Sequence, residues 1–300
     1  MYSKMPLLCS SDPVLLARSL EKLTLTYHHP RHLGSDPLIV VRRFAGRPDR
    51  EMAAFFAALL SYGRVEQINR ALEDLFDRMN QHPGAFVMHF NNTGSSERLL
   101  SFKHRFTDGE DIGCLCWLMQ QVLAKGTLED FFMRGHRREE PDIADAAGRF
   151  IRNFIALKFG PNFSRKTMLR KSSFKHLLPD PARGSACKRL FLFLRWVARP
   201  DDGIDLGLWK KVPPSKLLMP IDTHIMRIGR RLGMLNVKTP SLAAARQMTR
   251  CLRQIDPDDP VRFDFSLCRL GIKQVCSTDV KSLSCDVCDM AGVCAVGASD

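Results

Sequence analysis

The sequence predicts an all-α fold. Apolar residues recur at helical rather than alternating intervals almost throughout, residues that start and stop helices bracket those stretches, and strand patterns are sparse. A first helix is expected over 13–28. Asp49 can cap a segment through Tyr62, whose Met52, Phe55, Phe56, Leu59 and Leu60 share a helical face. Another helix is expected over 65–80. Asp108 precedes a helix that carries Leu115, Leu118, Met119 and Val122 and that Gly126 ends. Pro141 and Asp142 open one running towards Gly160, and further helices are expected over 185–199, 222–233, 241–254 and 260–273. The stretches 83–98 and 200–220 are rich in Gly, Pro, Asn and Asp and read as loops. No internal repeat or low-complexity tract interrupts this pattern. One helical unit is expected, with room for two lobes and a cleft between them.

The composition, 45% hydrophobic and 26% charged over 300 residues, is that of an ordinary globular chain able to bury a core. No apolar run approaches the roughly 18 residues that span a bilayer, and no leader pattern opens the chain. A cytoplasmic protein without membrane association is expected. The net charge of +13 is unevenly placed. Residues 1–150 carry 19 basic and 19 acidic side chains, and residues 151–300 carry 26 and 13. Over 152–199, twelve basic residues face a single acid, Asp180. A stretch so charged repels itself unless a polyanion neutralises it, and nucleic-acid backbone is the commonest one. A solvated basic face is the plainer alternative.

Of the ten cysteines, Cys9, Cys114, Cys116, Cys187, Cys251 and Cys268 are scattered through apolar stretches and read as small buried hydrophobes. The other four form the pattern Cys276-x8-Cys285-x2-Cys288-x5-Cys294. Structural zinc sites usually bring two paired knuckles or add histidines, whereas this loop has one pair and no nearby histidine. An iron–sulfur cluster tolerates uneven spacing because its corners lie apart, so the pattern favours iron–sulfur over zinc.

Upstream, the chain reads Ile221-Asp222-Thr223-His224-Ile225-Met226-Arg227-Ile228. Taken alone, Asp222 before Thr223 and an apolar helix is an N-cap. Taken with the cysteine loop in this order, the segment resembles the endonuclease III branch of the helix-hairpin-helix DNA glycosylases. That family places a hydrophobic residue and Asp-Thr-His at a helix start ahead of a Cys-x6-Cys-x2-Cys-x5-Cys loop. Here the first gap is two residues longer and the other two match. Weaker similarity continues through residues 55–67 and 178–194, so the likeness spans about 45–294 and is strong over 221–294. The whole chain also resembles an uncharacterised bacterial family regarded as a distant branch of the same superfamily.

The resemblance implies a two-lobed helical fold, a 4Fe–4S cluster on Cys276, Cys285, Cys288 and Cys294, and Asp222 as the catalytic carboxylate. Such a carboxylate would stabilise the oxocarbenium-like sugar formed when a base is released. It further implies a hairpin near 178–199 that holds a DNA phosphate, with Arg183, Gly184, Ser185, Lys188 and Arg189 around it and His224 and Arg64 as further DNA contacts. Bifunctional relatives carry a nucleophilic lysine two residues past the last hairpin glycine. Alignment on Gly184 puts Ala186 there, and alignment on Leu178-Pro179 puts Gly184 there. Lys188 then lies about 200° round a helix from Ala186, so it can be catalytic only if the hairpin is remodelled. Ala57 stands where monofunctional relatives carry a glutamate acid. Leaving-group activation therefore falls to Tyr62, Arg64 or Glu66, with Tyr62 and Glu66 lining a base pocket; a simple turn between two helices is the competing reading of that segment. Phe191, Phe193 and Trp196 read as core.

The organisation expected is an N-terminal helical extension over 1–47, a glycosylase-like core over 48–273 and the cluster loop over 274–300. The function expected is that of a monomeric, nucleoid-associated protein that acts on a damaged or mismatched base flipped from double-stranded DNA, without efficient lyase activity. The alternatives are a non-catalytic DNA-binding relative and an RNA-directed or redox-sensing role.

Overall fold

A computed structural model describes residues 12–91, 94–277 and 284–295. It is 59% helix and 1% strand, the all-α class that the periodicity predicts. Asp12 caps α1 (Pro13–Tyr27) by accepting from the Val14 and Leu15 amides. Then come α2 (Leu38–Val41), α3 (Arg47–Leu60) and α4 (Val65–Arg78). The stretch expected as a loop over 83–98 instead carries two short helices, α5 (Pro83–Met88) and α6 (Gly94–Leu99). Pro83 opens α5 at a position where a missing amide costs nothing. The antiparallel strands β1 (Lys103–His104) and β2 (Thr107–Asp108) form a small hairpin before α7 (Gly109–Leu123). Asp108 and Asp111 cap each other's amides there in a capping box.

The chain continues through α8 (Leu128–Met133), α9 (Ala144–Ala156), α10 (Arg165–Met168) and α11 (Ser172–Leu177). The last four helices are α12 (Lys188–Ala198), α13 (Thr223–Arg231), α14 (Leu242–Arg253) and α15 (Asp264–Ile272). Among the described residues, no helix is long and apolar enough to cross a membrane.

The core is built around α3, whose residues from Glu51 to Leu60 are all buried. A helix apolar on every side must be surrounded. Here α12 lies on one flank and α5 on another. The Phe55 ring meets Phe193 of α12 edge-on at 5.4 Å and Phe154 of α9 at 6.3 Å. Phe191, Phe193 and Trp196 are each 1% exposed, so the aromatic run of α12 is core. Each such ring contributes roughly 1.5–3 kcal/mol by leaving water.

The 200–220 stretch lacks regular structure apart from a 3₁₀ turn at Pro214–Lys216, as expected, yet much of it is buried. Its Leu206 and Trp209 amides donate to the Trp196 and Val197 carbonyls at 2.7 Å, satisfying last-turn groups of α12 that have no partner within the helix. The Trp209 indole N–H donates to Glu51 Oε1 at 2.6 Å, and its ring lies against Phe193 and Phe132. The insertion thus completes the core against α12, α3 and α8.

Cys251 is disulfide-bonded. It is buried, as read from the sequence, but not free; Cys9 lies outside the described residues. Cys114, Cys116 and Cys187 are free and buried.

Candidate active site and four-cysteine centre

A cavity of about 800 Å³ opens between α3–α4, α12, α13 and α15. That volume lies in the range of small-molecule sites. Its lining contains Asp222, Lys188, Tyr62, Arg64, Glu66 and His224, six residues singled out from widely separated parts of the sequence.

Asp222 divides its two oxygens between two tasks. Oδ1 accepts from the Ile225 amide at 2.8 Å and so caps α13. Oδ2 lies 3.4 Å from Lys188 Nζ inside the cavity. Lys188 arrives there because the hairpin is remodelled. Gly184 (φ 77°) and Cys187 (φ 44°) both take left-handed backbone, and α12 starts only at Lys188. The helical register counted from Gly184 therefore does not apply. Burial would lower the lysine's pKa, but the Asp222 carboxylate, aided by Cys268 and Asp264, more than offsets this and holds it above the usual value. Lys188 is an ammonium ion paired with Asp222.

His224 is half buried, and burial together with the Arg227 and Lys188 charges lowers its pKa, although Asp222 opposes them. Its ring packs directly on Gly271 of α15. A Cβ added at Gly271 would lie 2.5 Å from His224 Nδ1 and 2.8 Å from its Cβ. Gly271→Ala is expected to force α15 off α13 at a cost of about 1–3 kcal/mol, read as a lowered thermal midpoint. An unchanged midpoint would contradict this packing.

The Tyr62 hydroxyl is held between Thr107 Oγ1 at 2.7 Å and the His104 carbonyl at 3.0 Å. Its ring stacks on Phe106 at 4.9 Å. Burial raises its pKa, so it is a wall of the cavity whose proton is already committed. Arg64 and Glu66 are exposed at the start of α4, beside the opening. Ala57 is fully buried within α3.

Arg183, Gly184 and Ser185 sit on the surface at the hairpin, away from the cavity lining. Arg189 does not join them. It is 8% exposed, donates to the Leu59 and His176 carbonyls and lies 5.1 Å from the Tyr62 ring centroid. This corrects its assignment as a phosphate contact: between the apolar Cys187 and Leu190 it faces inward and ties α12 to α3 and α11.

Two cavity residues had no sequence signal of their own. Asp264, the first residue of α15, is buried in the floor, where Arg195 donates to its Oδ2. Arg195 also pairs with Asp205 of the insertion at 3.1 Å, and Arg199 pairs with Asp205, Asp202 and Asp259. Burial pushes the Asp264 carboxyl up to about 6, against the pull of Arg195. A carboxyl raised in the folded state adds stability that is complete below its ordinary value of 3.8 and is lost as pH rises through about 6. Asp264→Asn should therefore lose less stability than the wild type between pH 4 and pH 7 in urea unfolding. Parallel pH profiles would contradict this.

Cys276, Cys285, Cys288 and Cys294 line one small second cavity with Val275, Ala291 and Arg231. Two 3₁₀ turns, Cys285–Val287 and Ala291–Val293, bring the last three thiols round to the first. Arg231 donates to Cys276 Sγ at 3.0 Å and to the Ser277 carbonyl at 2.8 Å. Arg227 donates twice to the Cys276 carbonyl. A single zinc ion needs its ligands converging within roughly 2.3 Å of one point. Among the described residues no group of three or more His, Cys, Asp or Glu is arranged to hold a metal ion. The four thiols thus share the lining of one small cavity, with Arg231 beside the first of them.

Together the fold and these sites define an all-α protein with a cavity built on a capping aspartate and a four-cysteine terminal loop. The model of a family described as a protein of unknown function (DUF2400) matches residues 36–273, and the chain belongs to that family. No curated protein and no solved structure matches it. Both α1 and the four-cysteine loop lie outside the matched span.

Proposed function

We propose that the protein is a base-excision DNA N-glycosylase of the helix-hairpin-helix type, two-lobed and monomeric, which binds double-stranded DNA at the nucleoid and carries a 4Fe–4S cluster on Cys276, Cys285, Cys288 and Cys294. The observation that carries this reading is the meeting of Asp222, Lys188, Tyr62, Arg64, Glu66 and His224 in one cavity.

A base flipped from the duplex has room in about 800 Å³. Asp222 Oδ2 faces that space from the N-terminus of α13, and the carboxylate can stabilise positive charge as the glycosidic bond breaks. A water beside it then completes hydrolysis. Exposed Arg183, Gly184 and Ser185 supply a phosphate contact at the hairpin. The cluster supplies structural cross-linking of the terminal loop and takes no part in bond cleavage.

Protein incubated with duplexes each carrying one damaged or mismatched base is expected to leave an alkali-labile abasic site on at least one of them. Duplex binding with no base release across the panel would favour the non-catalytic relative.

One observation favours a second reading. Lys188 Nζ lies inside the cavity, 3.4 Å from Asp222 Oδ2, the place that an amine nucleophile would need. Because Lys188 is held protonated by that same carboxylate, borohydride is expected to trap no covalent DNA adduct. A trapped adduct that disappears in Lys188→Gln would make Lys188 the nucleophile.

A further inference from the structure

The two terminal segments that the family match leaves uncovered fold against one another. The apolar face of α1, formed by Leu16, Leu20 and Leu23, is buried, and α1 packs on α15 and on the 3₁₀ turn Ala291–Val293. That turn lies between Cys288 and Cys294. Asp289, next to Cys288, is held by α1 through both carboxylate oxygens: Lys22 Nζ lies 3.0 Å from Oδ1, and Thr26 Oγ1 donates to Oδ2 at 3.2 Å. The Asp289 side chain is 13% exposed, whereas Lys22 is 72% exposed, so the helix closes over the carboxylate and its lysine fastens the pair from outside. Tyr27 stands half buried at the end of α1. Lys273, at the end of α15, lies 5.2 Å over its ring. Arg231 of α13 holds Cys276, and its carbonyl accepts from the Ala295 amide. The four-cysteine loop is therefore tied to α13 through Arg231 and to α1 through Asp289 and the turn Ala291–Val293, whose Ala291 lines the cavity.

We infer that α1 is a cover for the four-cysteine centre, latched by Lys22 and Thr26 on Asp289, and that it sets how quickly solvent oxidants and chelators reach the metal held there. The inference rests on the proposed cluster. Its physical basis is that the shell around a metal site controls solvent access and so the lifetime of the site. A latch of one ion pair and one hydroxyl contact is weak enough to open without unfolding the core.

The test uses the full chain, purified without oxygen, and follows loss of visible absorbance in air together with iron released to a ferrous chelator. Lys22→Glu places like charges together at an exposed position. It is expected to bleach and release iron about threefold faster or more, with unchanged helix content. The charge swap Lys22→Asp with Asp289→Lys should restore the wild-type rate. A brown Lys22→Glu variant that loses iron no faster than the wild type overturns the inference alone. Wild-type protein purified without iron and sulfide overturns the cluster and the inference with it.

Discussion

Replacing Asp222 by asparagine is expected to lower base release at least ~100-fold while leaving duplex affinity at fixed salt little changed. Asparagine caps a helix about as well as aspartate, so the Ile225 amide keeps its acceptor and α13 keeps its start. What disappears is the negative charge at Oδ2, 3.4 Å from Lys188. Alanine would confuse the result by also removing the cap, at a cost of about 1 kcal/mol. Single-turnover base release and duplex binding, measured on the same preparation, separate the two effects. Equal turnover in Asp222→Asn and wild type would remove the carboxylate from the chemistry.

The second large effect is structural. Arg195 is 2% exposed and stands between Asp205 and Asp264, both buried. Removing it strands Asp264 in a low-dielectric floor and leaves Asp205 with Arg199 alone. Arg195→Met is expected to cost about 3–5 kcal/mol, far more than loss of an exposed pair, because buried charge is left without its partner. It should show as a lower urea midpoint. The loss should shrink when Asp264→Asn is added, since the stranded charge is then gone. A midpoint shift within that of a surface substitution would mean that the buried network contributes little.

The long helices were legible because their apolar faces repeat over three or more turns and some starts are marked by capping residues such as Asp108 and Asp222; Asp49, expected to cap α3, instead lies in its first turn behind the Gly46 N-cap. The short α5 and α6 were not, since six residues rich in Gly, Pro and Ser carry no period to count. Asp222 was legible from a motif of adjacent residues. Lys188 was misplaced because its register was counted as helical from Gly184, and nothing in Ser185-Ala186-Cys187 announces that Cys187 takes a left-handed conformation. Arg189 was assigned to DNA by its charge and its place in the expected hairpin. Whether a basic residue faces outward depends on which side of α12 meets α3, and charge does not report that. The floor of the cavity was hidden for a different reason. Arg195, Asp205 and Asp264 are joined across 69 residues of chain, a pairing that exists only after folding. The insertion read as an unexplained loop is where Asp205 comes from.

The most direct test of the account is the absorbance near about 400 nm of anaerobically purified protein, with iron and acid-labile sulfide assays, repeated on Cys288→Ala. The four cysteines lie outside the span matched by the family, so the result is not fixed by family membership. A brown protein holding iron and sulfide, with the colour lost in the variant, is the result predicted. Colourless protein that carries zinc or no metal would contradict it and would leave the Asp222 cavity without its link to the iron–sulfur glycosylases.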